Sequence, residues 1–174
     1  MDPLIDSGLQ TRLQKIKCLL LDVDGVLTDC RVFLDAGGEW RRQFSIRDGY
    51  GIVRLREAGY KIGIITGSKA KDIQERARVL GLHFFHEGST DKKPAFDQIL
   101  LESGLQSHEI AYMGDDEFDV PVLRQVGFAA TVPEAMEDVF DSVQYVARRP
   151  GGNGAVREVC ELILKYGAFS RGHT

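Results

Sequence analysis

Residues 17–29 read KCLLLDVDGVLTD. Cys18 to Leu21 form an unbroken apolar run that stops at Asp22, the pattern of a strand covered on both faces. Such a strand belongs inside a parallel sheet, and its polar end then lies at the carboxyl edge, where open α/β sheets carry their sites. Asp24 follows two residues on, Gly25 provides a tight bend, and Thr28 and Asp29 lie beyond.

Working outward, further short apolar runs occur at 61–65 (KIGII), 83–86 (HFFH), 110–113 (IAYM), 128–132 (FAATV) and 143–146 (VQYV). Between them, residues 50–58, 70–80, 94–103, 118–125, 135–140 and 155–166 carry apolar residues at helical spacing. The alternation predicts an α/β fold: a Rossmann-like parallel sheet with helices on both faces, joined by right-handed crossovers. Residues 5–13 are expected to form a short helix laid against the body. One segment, about 30–44, breaks the alternation. Strand-like runs at 31–34 and 39–44 flank Asp35-Ala36-Gly37-Gly38 and predict a β-hairpin flap inserted after the first strand. It carries Trp40, Arg41 and Arg42, and a two-stranded hairpin needs a surface to pack on, either the domain body or another subunit.

The 174 residues fit one domain, with a C-terminal tail from about 150 to 174. At 43% hydrophobic and 28% charged the chain reads as an ordinary soluble globule. Its net charge of −4 argues against nucleic acid or an acidic membrane as partner. No apolar run reaches the roughly 20 residues of a membrane span, and the first residues lack the apolar core of a signal peptide. Cys18, Cys30 and Cys160 are odd in number and follow no metal-ligand spacing, so they are expected as reduced thiols of a cytoplasmic protein. His83, His86, His108 and His173 show no ligand spacing either and are read as structural or surface residues.

Four polar clusters fall after predicted strands. Asp22 and Asp24 follow the first. Thr66, Gly67 and Ser68 follow IITG's strand and offer a hydroxyl and backbone N–H groups near a helix start. Lys92 and Lys93 precede Pro94 at the next helix. Asp115 and Asp116, with Asp119 a turn later, follow the fourth strand. Each cluster alone reads as a turn, a helix cap or surface lysines. Together, Asp22, Asp24 and Asp115 are expected to converge, and like charges 4 Å apart repel by roughly 4 kcal/mol at an effective dielectric of 20. A cation held by hard oxygen ligands relieves that repulsion, and Mg²⁺ is the expected ion. Metal, hydroxyl, amides and a lysine around a carboxylate describe a site for a phosphoryl group.

DVDGVLTD, IITG, the lysine of DKKP and GDDEFD resemble the four motifs of the haloacid dehalogenase superfamily. FSIRDGYGI at 44–52 and GGNGAVREVC at 151–160 narrow the likeness to the 3-deoxy-D-manno-octulosonate 8-phosphate phosphatases. The resemblance implies Asp22 as nucleophile and Asp24 as acid and then base. It implies Asp22, the backbone carbonyl of Asp24 and Asp115 as Mg²⁺ ligands, with Asp116 and Asp119 supporting them. Thr66 and Lys92 would bind the phosphoryl oxygens; Lys93 contests that role, and the family register favours Lys92. Ser45, Ile46, Arg47, Asp48, Gly49, Gly67 and Arg76 map to substrate contacts. The intervals 25–65 and 67–91 hold no cap domain, and the family closes its open site as a homotetramer. The resemblance therefore implies that the hairpin packs against its copies and that residues 151–158 reach a neighbour.

Ser68 and Asn153 stand where relatives carry arginines suited to a sugar acid's carboxylate. A nonulosonate 9-phosphate is thus an alternative substrate. Two rivals come from other classes. A two-component receiver would need an Asp after its third strand and its lysine after the fifth; here the third strand ends at His86, and Lys92 precedes the fourth. A catalytically silent assembly module would have lost the carboxylates that this chain keeps.

Overall fold

The computed structural model describes residues 5–169; His173 and the end of the tail lie outside them. Six parallel strands form one sheet: β1 (Cys18–Leu21), β4 (Lys61–Thr66), β5 (Phe84–Glu87), β6 (Ile110–Met113), β7 (Phe128–Thr131) and β8 (Tyr145–Val146). Their order is β5-β4-β1-β6-β7-β8. All six match the apolar runs in the sequence. β1 is central, with Leu21 level with Ile64 on one side and Met113 on the other. The chain runs outward from β1 through β4 and β5, then returns to build β6 to β8 on the opposite side. Such a reversal opens a crevice beyond the carboxyl ends of the strands on either side of it.

Strand alternation divides the core into two layers. Leu19, Leu21, Ile62, Ile64 and Met113 face one side. There they meet α1 (Ser7–Leu13), α2 (Ile46–Glu57), α3 (Lys71–Leu80) and α7 (Ala155–Tyr166). Cys18, Leu20, Ile65 and Tyr112 face the other, with Phe96 and Ile99 of α4 (Lys93–Ser103), Val122 and Leu123 of α5 (Val120–Leu123), and Val139 of α6 (Glu137–Phe140). Cys18 and Cys160 are buried, Cys30 is exposed, and all three are free thiols.

α2 starts at Ile46, four residues before the sequence reading placed it. Ser45 caps it, its hydroxyl accepting from the Asp48 N–H at 3.3 Å. Gly49 and Gly51 argue against helix by propensity, but α2 crosses α7 so closely that a Cβ on residue 51 would lie 3.2 Å from the Arg157 Cα. Tertiary packing overrides the local preference. The predicted helix at 118–125 is a 3₁₀ turn, Glu117–Asp119, running into the short α5.

The hairpin is present and shorter than expected: β2 (Phe33–Leu34) pairs antiparallel with β3 (Trp40–Arg41). Asp35 sets its turn, accepting from the N–H groups of Gly37 and Glu39, both at 2.9 Å. The flap does not bury its apolar side chains on its own domain. Val32, Phe33, Leu34 and Trp40 are all exposed, Trp40 at 62%.

Candidate active site

Asp22 leaves the end of β1 and is held there by its N–H, which donates to the Met113 carbonyl at 2.9 Å. The next turn closes tightly: the N–H groups of Leu27 and Thr28 both reach the Val23 carbonyl. Gly25 sits in it at φ +87°, where a Cβ would also collide with the Asp115 carboxylate. This glycine lets the loops after β1 and β6 meet.

The carboxylates of Asp22, Asp115 and Asp119 come within 4.8 Å of one another. The sequence reading brought Asp24 to this point; the structure brings Asp119. Asp24 instead turns toward the hairpin, where Arg42 grips both its oxygens at 2.6 and 3.0 Å. Asp119 is fully buried and its oxygens are filled. Oδ1 accepts from Lys92 Nζ at 2.6 Å and from the Tyr112 hydroxyl. Oδ2 accepts from the N–H groups of Asp115 and Asp116 at 3.0 and 3.1 Å. Asp119 therefore folds the loop that presents Asp115, while Asp116 caps the turn by accepting from the Glu117 N–H. Tyr112 has no signal in the sequence, where it reads as one more core residue of β6.

The two lysines separate clearly. Lys92, 4% exposed, lies 2.9 Å from Asp22 Oδ1 as well as against Asp119. Lys93 pairs with Asp97 on the surface. Thr66 ends β4, buried, and its hydroxyl accepts from the Ser68 N–H at 3.2 Å. α3 begins only at Lys71, so the Thr66 loop stands off the helix terminus that the sequence suggested for it. Gly67 is exposed at the top of this loop.

Burial is the main cause that pushes the Asp22 carboxyl up to about 7, with Asp119 adding to it and Lys92 opposing. Burial likewise pushes Asp115 up to about 8, with repulsion from Asp22 and Asp119 added. Asp115 Oδ1 is buried without a hydrogen-bond partner. An orphaned carboxyl oxygen beside a second carboxyl group, in an all-oxygen donor set, fits a hard divalent cation such as Mg²⁺. A cavity of about 600 Å³ opens over Asp115 and Gly25, and its lining includes Ser45, Met136 and Asn153.

The other expected substrate contacts are dispersed. Ser45 is at the cavity edge, and Ile46 is 87% exposed beyond it. Arg47 lines a separate surface hollow with Arg149 and Arg157. Asp48 is buried, its oxygens accepting from the N–H groups of Gly154 at 3.1 Å and Arg157 at 2.8 Å. Gly49 packs under Arg76, whose guanidinium donates to the Ser45 carbonyl at 3.0 Å. Asp48 and Arg76 thus brace α2 in this structure. Residues 151–158, which the resemblance expects to reach a neighbour, also contact their own chain. The Gly152 N–H donates to the Val26 carbonyl at 3.0 Å, and Gly151 lies so close to the Gly25 carbonyl that no side chain fits.

The profile of the haloacid dehalogenase-like hydrolases matches residues 51–127. Over 162 residues the chain is 41% identical to the 3-deoxy-D-manno-octulosonate 8-phosphate phosphatase KdsC of Yersinia pestis, spanning 93% of this chain and 86% of that one. The crystal structure of the Yersinia pestis phosphatase superposes with a TM-score of 0.90 at 38% identity, over 95% of this chain and 90% of that one. That of the Moraxella catarrhalis phosphatase, in complex with magnesium ion, phosphate ion and KDO, gives 0.88 at 35% identity over 92% of each chain. Identity at this level, held across nearly the whole length and matched by the fold, places the chain in the 3-deoxy-D-manno-octulosonate 8-phosphate phosphatase family of haloacid dehalogenase-like hydrolases.

Proposed function

We propose that the protein is a Mg²⁺-dependent phosphatase that hydrolyses the phosphate monoester of a sugar acid, 3-deoxy-D-manno-octulosonate 8-phosphate, through an aspartyl-phosphate on Asp22. The observation that carries this reading is the buried meeting of Asp22, Asp115, Asp119 and Lys92, with the Asp115 oxygen left unpartnered.

Asp22, Asp115 and the Asp24 backbone carbonyl would hold Mg²⁺, which offsets carboxylate repulsion and withdraws charge from the phosphoryl oxygens. An Asp22 oxygen attacks phosphorus, the bond from phosphorus to the sugar oxygen breaks, and Asp24 gives its proton to the departing alkoxide. Asp24 then takes a proton from water, whose oxygen attacks the same phosphorus and frees Asp22. Lys92 and Thr66 bind the phosphoryl oxygens, and the ammonium group keeps Asp22 from repelling an anionic substrate. Asp119, with Tyr112 donating to it, orients that lysine.

The uncovered flap supports a homotetramer in which hairpins of neighbouring copies bury Phe33, Leu34 and Trp40 against each other. No helix among the described residues is long and apolar enough to cross a membrane, and the free thiols fit a cytoplasmic protein. The test is phosphate release with Mg²⁺ from 3-deoxy-D-manno-octulosonate 8-phosphate, set beside a nonulosonate 9-phosphate and a neutral hexose phosphate. The octulosonate ester is expected to have the highest kcat/KM, and Asp22→Asn to abolish turnover. Wild-type rates in that variant would remove Asp22 from the chemistry.

A further inference from the structure

Arg42 lies just past β3, on a flap whose other side chains are largely exposed, yet its side chain is only 9% exposed. Three other segments of the chain meet on it. Nε and Nη2 hold the two Asp24 oxygens at 2.6 and 3.0 Å. Nη1 lies 3.3 Å from Asp72 Oδ1, and the Arg42 backbone N–H donates to Asp72 Oδ2 at 2.8 Å. Nη2 also reaches the Ser68 hydroxyl at 3.3 Å. A two-point guanidinium pair fixes the plane as well as the position of a carboxylate, which a single hydrogen bond or a lysine cannot do. Apart from Arg42, the hydrogen bond to the Asp24 side chain comes from Thr28, at 3.5 Å.

Resting on the phosphatase reading above, we infer that Arg42 is the positioning residue of Asp24 for the second half of the reaction. The guanidinium holds Asp24 as an oriented carboxylate that accepts the proton of the attacking water. In that step the bond from water oxygen to phosphorus forms, the bond from phosphorus to Asp22 breaks, and the water proton passes to Asp24. With a leaving group that departs without a proton, the first half makes no such demand on the orientation of Asp24. Loss of Arg42 should therefore slow hydrolysis of the aspartyl-phosphate and spare its formation. A plain staple between flap and body would not divide the two halves in this way.

The experiment follows p-nitrophenyl phosphate with Mg²⁺ by stopped flow, because nitrophenolate departs without a proton and reports phosphoenzyme formation directly. Arg42→Met is expected to lower steady-state kcat by about 10–100-fold. It should also create a nitrophenolate burst approaching one per subunit, with a burst rate within about threefold of the wild-type first turnover. Arg42→Lys keeps the charge and the backbone anchor to Asp72 but gives up two-point pairing; it should show the same burst with a smaller fall in kcat, and it serves where the methionine variant does not fold. Asp72→Ala loosens the flap and leaves the Asp24 pair, so no burst is expected. Burst rate and kcat falling together, neither changing, or Asp72→Ala reproducing the burst would each overturn the proposal. Failure of the phosphatase reading looks different: the wild type would release no nitrophenolate.

Discussion

Asp115→Asn is expected to make the metal-free protein more stable while abolishing its response to Mg²⁺. Asp115 rises from 3.8 to about 8 because it is buried beside Asp22 and Asp119. Ionising it at neutral pH therefore costs folding free energy, at about 1.4 kcal/mol per unit of displacement. Taken alone the displacement would amount to roughly 4 kcal/mol at pH 7, and because the repulsion is shared with Asp22, about 2–3 kcal/mol is assigned to this residue. Asn removes the charge, keeps the shape, and leaves no hydrogen bond of Oδ1 unmade, since that oxygen has none. For a domain of this size the gain corresponds to roughly 4–12 °C in Tm.

The pH dependence fixes the sign. The folded protein binds a proton on Asp115 more tightly than the unfolded chain does, so wild-type stability is full below about pH 4 and is lost as pH climbs through about 8. The advantage of Asp115→Asn should open across that window and vanish at its acidic end. Thermal melts from pH 4 to about pH 8.5, with EDTA and then with millimolar Mg²⁺, measure both effects. Wild-type Tm should rise with Mg²⁺ most strongly at the alkaline end, and the variant's should not move. A variant that melts at or below wild type in EDTA at neutral pH, or that keeps the Mg²⁺ shift, would refute the carboxylate-repulsion account of the site.

Three further outcomes follow from the same geometry. Lys92→Met leaves Asp22 and Asp119 facing each other in a buried space, so urea unfolding in EDTA should show a loss of about 3–5 kcal/mol; a loss under about 1 kcal/mol would mean the lysine is not what holds the pair. Gly25→Ala forces a side chain into φ +87° and into the Asp115 carboxylate, and Mg²⁺ titration followed by calorimetry should show at least about tenfold weaker binding, against which unchanged affinity would count. Trp40→Glu puts a charge on the exposed flap, and sedimentation should show dissociated subunits with an unchanged circular dichroism spectrum; an intact tetramer would move the interface elsewhere.

The parts of the fold legible in the sequence are those where one physical demand dominates. β1, β4 and β6 are covered on both faces, so Leu19 and Leu20 must both be apolar, and the unbroken run marks the strand without ambiguity. The start of α2 was hidden because two demands compete at Gly49 and Gly51: backbone propensity disfavours a helix there, and close packing, under Arg76 of α3 at Gly49 and on α7 at Gly51, leaves little room for a side chain. Only tertiary structure decides between them. The same holds for residues 151–158. In sequence their glycines mark a tail that the family resemblance sends toward a neighbouring copy, whereas the close approach of the Gly25 carbonyl, which excludes a side chain at Gly151, is visible only in the fold.

The site was legible as a set of strand ends and hidden as a set of side-chain directions. Chain order placed Asp22, Thr66 and Asp115 at the carboxyl edge of the sheet, because each stands at the end of an inner strand, whereas the preference for Lys92 over Lys93 came only from the family register. Which third carboxylate joins Asp22 and Asp115 depends on where its hydrogen-bond donors are. Asp119 is drawn inward by the Tyr112 hydroxyl, the Lys92 ammonium and two loop N–H groups. Asp24 is drawn outward by a guanidinium on a flap 18 residues away. Donors so far apart in sequence leave no periodic trace. The consequence is a division of labour among the acidic residues: Asp119 has spent its oxygens on holding the loop, Asp115 has spent none of Oδ1, and the free oxygen therefore marks where a cation is wanted. On the proposed reading, that separation of a saturated carboxylate from an orphaned one, a few ångströms apart, is what would let the cluster hold a metal at a cost in stability, where four fully paired side chains would have made only a salt bridge.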